Sequence, residues 1–254
     1  MIDLRNKVAL VTGSSRGIGE ATAVRLAEAG ADVVLNYVTS RSAANYTAER
    51  ISALGRRVWI VKADISEQDD VEAMMEFIAD EIGQLDIVVS NAASGGFRPL
   101  LESNADQFHA TMNTNVLALI MLVKAALPLL EQSKQRAKVV AISSHGSHMA
   151  LPYYGLIGGS KAALESIARH LTLEVGDRGI NVNVVKAGLV ETDSTRLMDQ
   201  TGTMFAKRTS KTMVGERVLE ARDVANAVLF LCSPLSDMIQ GETLTIDGGA
   251  AIHV

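Results

Sequence analysis

Val8-Ala9-Leu10-Val11-Thr12-Gly13-Ser14-Ser15-Arg16-Gly17-Ile18-Gly19 is the stretch from which the rest of the chain can be read. Four uncharged apolar residues make a short strand buried on both faces. The glycine-rich turn after it runs straight into apolar residues at helical spacing. Such a turn lets backbone approach an anion such as a pyrophosphate closely, with the first N–H groups of the helix aimed at it.

The same unit recurs outward from this turn. Strands are expected near Val8–Val11, Asp32–Asn36, Val58–Lys62, Ile87–Ser90, Val139–Ser143, Asn181–Lys186 and Thr243–Ile246. Helical spacing marks Gly19–Ala29, Ala43–Leu54, Glu67–Glu81, Val116–Glu131, Ser160–Val175 and Ala221–Leu231. Strands that are continuously apolar rather than alternating belong to a parallel sheet covered by helices. The expectation is a doubly wound α/β sheet, a Rossmann fold of about seven strands with helices on both faces. No linker, repeat or low-complexity tract divides residues 1–254, so a single domain is expected. Thr192 to about Glu220 breaks the rhythm, with Asp193, Ser194, Thr195, Met198, Met204, Phe205, Lys207 and Arg208 but no clear strand. An insertion there reads as a substrate-binding loop or lid at about 192–220.

Composition narrows the function classes. A formal charge of −5 provides no basic field for nucleic acid. The single cysteine, Cys232, excludes an internal disulfide framework and points to a reducing compartment. Charged residues at the N-terminus do not form a secretory signal. The most apolar stretch, Val116 to Leu130, is interrupted by Lys124 and Pro128 and is shorter than a membrane span. A cytoplasmic protein without a membrane or nucleic-acid partner is expected. His145 and His148 lack acidic or cysteine neighbours at metal spacing, so no metal is expected. His109, His170 and His253 read as surface or interface residues, and Cys232 as a small buried residue at a helix end.

The spacing Gly13-x3-Gly17-x-Gly19 differs from the usual Gly-x-Gly-x2-Gly fingerprint and resembles the short-chain dehydrogenase/reductase family. Other motifs resemble that family in order along the chain. They are Asp64 in Lys62-Ala63-Asp64-Ile65, the turn Asn91-Ala92-Ala93, Asn115 in Asn113-Thr114-Asn115-Val116, and Asp247-Gly248-Gly249. The resemblance implies a nucleotide cofactor held by Gly13, Ser15, Arg16, Gly17, Ile18, Gly19, Asn36, Arg41, Asp64, Ile65, Asn91, Ala92, Ala93, Asn115, Lys161, Gly188 and Thr192. Ala187-Gly188 stands where the family usually has Pro-Gly. Cofactor type follows from charge. An NAD enzyme normally carries an acid at the end of the second strand, whereas Leu35-Asn36-Tyr37-Val38-Thr39-Ser40-Arg41 has none. Arg16 and Arg41 supply the planar donors that suit a 2′-phosphate, which favours NADPH.

Most family members carry Tyr-x3-Lys, yet the residue four before Lys161 is Ile157. Tyr154 stands seven before it, and this Tyr-x6-Lys spacing resembles the enoyl-acyl-carrier-protein reductases of the same superfamily, most closely the NADPH-dependent type III enzymes. On a helix the extra three residues would carry the phenol about 4.5 Å farther along the axis. There it would meet an enolate oxygen rather than the carbonyl being reduced. The implied catalytic residues are Tyr154 and Lys161, with Ser144 at the family's serine position. Tyr153, whose offset fits neither pattern, reads as a pocket-lining residue.

The resemblance therefore implies NADPH-dependent reduction of the trans-2 double bond of enoyl thioesters in fatty acid synthesis. The substrate would ride on acyl carrier protein or coenzyme A. A homotetramer is implied, formed through Val116–Glu131 and Ser160–Val175. Two alternatives stay open: a 3-oxoacyl or general carbonyl reductase, and a catalytically silent NADPH-binding protein.

Overall fold

A computed structural model describes residues 2–192, 195–196, 203–215 and 217–252. Of the expected loop, Asp193, Ser194 and Met198 lie outside the described residues, as do His253 and the side chains of Met204, Phe205 and Arg208.

The chain runs β1 (Val8–Val11), α1 (Gly17–Glu28), β2 (Asp32–Tyr37), α2 (Arg41–Ala53), β3 (Val58–Lys62), α3 (Gln68–Glu81) and β4 (Ile87–Ser90). It continues through α4 (Ala105–Met112), α5 (Ala118–Leu130), β5 (Ala137–Ser144), α6 (Gly155–Val175), β6 (Ile180–Ala187), α7 (Thr203–Thr209), α8 (Ala221–Leu231) and β7 (Thr243–Ile246). The strands form one parallel sheet in the order β3-β2-β1-β4-β5-β6-β7. One face packs Leu10, Val88 and Val139 against Met74, Leu119, Leu122 and Leu164 of α3, α5 and α6. The other packs Val11, Leu35 and Val140 against Leu26, Ile51 and Val228 of α1, α2 and α8. Both faces being dry explains the unbroken apolar strands. The strand order reverses between β1 and β4, and the crevice outside their carboxyl ends is where such sheets bind ligands.

Helix boundaries depart from the sequence expectation in two places. Residues Gly155 to Gly159 are helical, so α6 begins five residues before Ser160. A Cβ on Gly158 would lie 2.6 Å from the Gly146 carbonyl oxygen. Close packing of the helix onto the turn after β5 therefore overrides the poor helix propensity of two adjacent glycines. Ahead of α5, α4 is capped by a reciprocal pair, Gln107 N–H to Asn104 Oδ1 and Asn104 N–H to Gln107 Oε1. One π-helical turn, Asn113–Leu117, joins α4 to α5. The continuous helical stretch Ala105–Leu130 thus has 26 residues, long and apolar enough to cross a membrane, contrary to the shorter stretch expected. Its buried side, including Leu119, Leu122, Val123 and Leu130, is accounted for by the sheet and its neighbouring helices.

The amino ends of the strands are fixed by a buried carboxylate. Asp86 accepts from Lys7 Nζ at 2.9 Å, Val8 N at 3.0 Å, Gln84 Nε2 at 2.6 Å and Ser133 Oγ at 2.5 Å. Burial alone would raise its pKa, but these donors outweigh it and hold the carboxyl below its ordinary range. Its contribution to stability is present at neutral pH and is lost as pH falls through the depressed folded value. Asp86→Asn is expected to cost about 3 kcal/mol in urea unfolding at pH 7, with the deficit shrinking below about pH 4. A constant deficit across that range would remove the electrostatic explanation.

Candidate active site

The turn after β1 and the first turn of α1 form one wall of a groove of about 600 Å³. Gly13 adopts φ +61°, and a Cβ there would lie 2.9 Å from Ala92 Cα. A Cβ on Gly19 would lie 2.4 Å from the Gly13 carbonyl oxygen, so the helix start can fold under the turn only as glycine. Gly17, also at positive φ, faces Thr192, whose Cγ2 would sit 3.5 Å from a Cβ there. Arg16 is the extended N-cap of α1. It lines the groove with Ser15, Ile18, Val38, Thr39 and Ser40, and no acid stands at that end of β2.

Several expected cofactor residues turn out to hold the groove rather than line it. Asn36 is fully buried. Its Oδ1 accepts from Gly13 N–H at 3.2 Å, its Nδ2 donates to Ala63 O at 2.9 Å, and its backbone is bonded to Ser14. It fixes the turn and presents no side-chain atom to a ligand. Arg41 is an exposed residue at the first position of α2, outside the groove lining. Asp64 Oδ1 accepts from Ser66 N–H and Oγ–H, and the Ile65 side chain is in the core. Neither lines the groove.

Asn91, Ala92 and Ala93 line the groove from the end of β4. Thr12 Oγ1 accepts from the N–H groups of Asn91 and Ala92, and Asn91 Nδ2 donates to Thr12 O at 2.9 Å. Asn115 projects from the π turn. Its Oδ1 accepts from Ser94 N–H at 2.8 Å, and its Nδ2 donates to Ser94 O and to Ser160 Oγ. Asn115 thus staples the β4 loop to α6 and acts on the site through both.

Next to the groove, and sharing Ile18, Asn91, Ala93 and Thr192 with it, is a cavity of about 240 Å³. Ser144, Tyr154 and Lys161 meet in it, roofed by Gly188, Leu189 and Val190. Tyr154 is the N-cap of α6, one residue before the helix, and its carbonyl accepts from Gly158 N–H at 2.7 Å. The phenol therefore stands at the mouth of α6 rather than on its side. Its ring stacks on Phe97 at 6.0 Å, and its oxygen lies 3.0 Å from Ser144 Oγ. Gly146 N–H donates to that Oγ, and the serine hydroxyl donates to the phenol oxygen. The tyrosine's own proton is left for the cavity. Burial raises the Tyr154 pKa, with the Ser144 bond opposing, so the phenol stays protonated at neutral pH.

Lys161 is buried, and its Nζ donates to Ile142 O at 2.7 Å. Desolvation lowers its pKa to about 8, against the opposing field of Glu165. The position four before it is Ile157, buried, and a Cβ on Gly95 would lie 2.3 Å from its Cγ1. Ile157 therefore fills the space beside the β4 loop with an aliphatic side chain and supplies no acid. Tyr153 does not line the cavity as expected. It adopts φ +60°, is 60% exposed, and contributes its carbonyl to Arg98 N–H.

A histidine that in the sequence only flanks the site also lines the cavity. His145 is buried in the cavity wall, its Nε2 3.1 Å from Asp247 Oδ2. Asp247 in turn accepts from Gly249 and Ala251 N–H. Asp247-Gly248-Gly249 thus reaches the site through a histidine. The clue in the sequence was a histidine directly after the family's serine position. Gly188 permits this closeness, since a Cβ there would lie 2.9 Å from Asp247 Cβ. Among the described residues no cluster suited to a metal is present.

A family model described as enoyl-(acyl carrier protein) reductase matches residues 13–251. The chain belongs to the short-chain dehydrogenase/reductase superfamily. Curated relatives of this short-chain dehydrogenase/reductase include 1-cyclohexenylcarbonyl-CoA reductase of Streptomyces collinus, 32% identical over 98% of this chain and 88% of that one. Versicolorin reductase 1 of Dothistroma septosporum is 34% identical over 97% of each chain. Among solved structures, a short chain dehydrogenase from Burkholderia cenocepacia in complex with NADP superposes with a TM-score of 0.88. It is 37% identical, covering 97% of this chain and 98% of its own. A blue fluorescent protein from a metagenomic library, in complex with NADPH, also gives 0.88, at 32% identity over 98% and 99% of the two chains. As a short-chain dehydrogenase/reductase, the protein is an oxidoreductase.

Proposed function

We propose that the protein reduces the trans-2 double bond of enoyl thioesters with NADPH. The observation that carries this reading is the Tyr154–Lys161 pair at one cavity, with a buried isoleucine at the position of the usual ketone-reducing acid. The relative from Streptomyces collinus, named for a cyclohexenylcarbonyl thioester of coenzyme A, supports a thioester substrate. NADPH fits the groove: its glycines admit a pyrophosphate, Arg16 lies at the helix start, and no β2 carboxylate opposes a 2′-phosphate.

Bound in the groove, NADPH would supply a hydride for the β-carbon; the negative charge this leaves on the thioester oxygen is discharged when the α-carbon takes a proton from solvent, which completes the saturated product. Tyr154 directs its hydroxyl proton to that oxygen, where the hydrogen bond strengthens as charge appears. Ser144 orients the phenol through its 3.0 Å contact. Lys161 would hold the ribose hydroxyls of the bound nucleotide, and its positive charge lowers the cost of the developing anion.

The test compares NADPH oxidation with crotonyl or longer enoyl thioesters against acetoacetyl thioesters, repeated with NADH. Enoyl turnover well above ketone turnover, with NADPH preferred, is the expected result. Ketone turnover alone would replace this reading with that of a 3-oxoacyl reductase, which the Ser144–Tyr154 contact would equally serve. Turnover of neither would leave a nucleotide-binding protein without this chemistry. The same proposal includes a cytoplasmic homotetramer acting in fatty acid synthesis, with acyl carrier protein or coenzyme A as the substrate's carrier. A subunit mass from light scattering in place of four subunits would remove the tetramer.

A further inference from the structure

Behind the cavity lies a buried ion pair with no part in the steps above. Glu165 is one turn beyond Lys161 on α6, and Lys186 belongs to β6. Their Oε2 and Nζ atoms are 3.2 Å apart, with side chains only 13% and 10% exposed. The other carboxylate oxygen, Oε1, accepts from Ser143 Oγ at 2.5 Å. Ser143 lies opposite Lys186 in the β5–β6 register and follows Ile142, whose carbonyl holds Lys161 Nζ. Neither Glu165 nor Lys186 lines the cavity, so neither touches a substrate there.

These positions set two opposite charges beside the strand that holds one buried amine. The carboxylate favours the charged form of Lys161, and the Lys186 ammonium, 3.2 Å from that carboxylate, would by Coulomb's law act on the amine in the opposite sense. Other polar groups lining the cavity with Lys161 include Asn91, Ser143, Ser144 and Tyr154. Beyond these are His148, whose Nδ1 is 3.3 Å from Lys186 Nζ, and His145 with its partner Asp247. We propose that Glu165 and Lys186 are opposed positioning residues that set the upper pH limit at which Lys161 keeps its charge, and with it cofactor binding and turnover.

The inference rests on the reading of Lys161 as the ribose-binding cation, but not on which double bond is reduced. Its test is NADPH affinity, measured by fluorescence of the bound nucleotide from pH 6 to 10, beside the pH profile of turnover. Glu165→Gln keeps the shape and an acceptor for Ser143 while removing the negative charge, and its alkaline limb is expected to move down. Lys186→Met removes the opposing charge, and its limb is expected to move up, each shift being about one pH unit. The double variant is expected near the parent. A structural role alone would weaken binding or stability at every pH without moving the two limbs in opposite directions. Limbs that stay in place, or move the same way, in folded variants would overturn the inference. If Glu165→Gln fails to fold, Lys186→Met alone decides it: an upward shift supports the opposed pair and an unchanged limb refutes it. Opposite shifts in NADPH affinity without enoyl turnover would leave this inference standing and remove the enoyl-reductase reading.

Discussion

Tyr154→Phe is expected to lower enoyl turnover by about 100- to 1,000-fold while changing NADPH affinity less than about twofold. The substitution keeps the ring, and with it the stack on Phe97 and the packing beside Gly146. Only the hydroxyl is removed, together with its contact to Ser144 Oγ. Because that oxygen faces the cavity rather than the groove, the loss should fall on kcat and leave nucleotide binding intact. Steady-state kinetics and a fluorescence titration of NADPH separate the two. A fully active Tyr154→Phe would show that the phenol only fills space.

Lys161→Met should be as damaging but with a different signature. The amine is buried, holds the Ile142 carbonyl, and lines the cavity with Tyr154 and Ser144. Turnover is expected to fall by about 100- to 1,000-fold, and NADPH affinity by about tenfold. In the parent enzyme the charged form predominates below about pH 8 and is lost above it, since burial has lowered the pKa from 10.5. Activity should therefore decline on the alkaline side. In Lys161→Met the residual activity should lack that decline. A retained alkaline limb in the methionine variant would assign it to another group.

Much of this architecture was legible because charged or turn residues bracket the strands. Lys7 and Thr12-Gly13 confine Val8–Val11, and the four-residue strands at Ile87 and Thr243 are equally sharply bounded. The pairing of Tyr154 with Lys161 was legible from a spacing. What the spacing could not show is that Tyr154 caps α6 instead of lying within it. That depends on Gly158 packing against Gly146, a contact between segments separated by a turn. Helix α4 was missed because Phe108, the large apolar residue in its middle, is 48% exposed, leaving little of the core-facing pattern. Its start was nevertheless written in Asn104-x2-Gln107. The Glu165–Lys186 and His145–Asp247 pairs join distant segments through strand register and loop closure, which no local pattern encodes. A lysine amid the valines of β6 was the one local sign of the first pair.

The position of Asn36 bears on how the cofactor preference of this scaffold can be altered. In a sheet of this kind the obvious exchange towards NADH is a carboxylate at the end of β2. At residue 36, however, the side chain simultaneously receives the Gly13 N–H and supplies a proton to Ala63 O. Aspartate would keep the first bond and lose the second, leaving a charge buried beneath the glycine turn with no ligand in reach. Redesign has to work beyond residue 36, at Tyr37, where β2 ends, or at Val38 or Thr39, all of which line the groove. Nucleotide choice and the folding of the turn are thus separable traits in this protein, carried by neighbouring residues that can be changed independently.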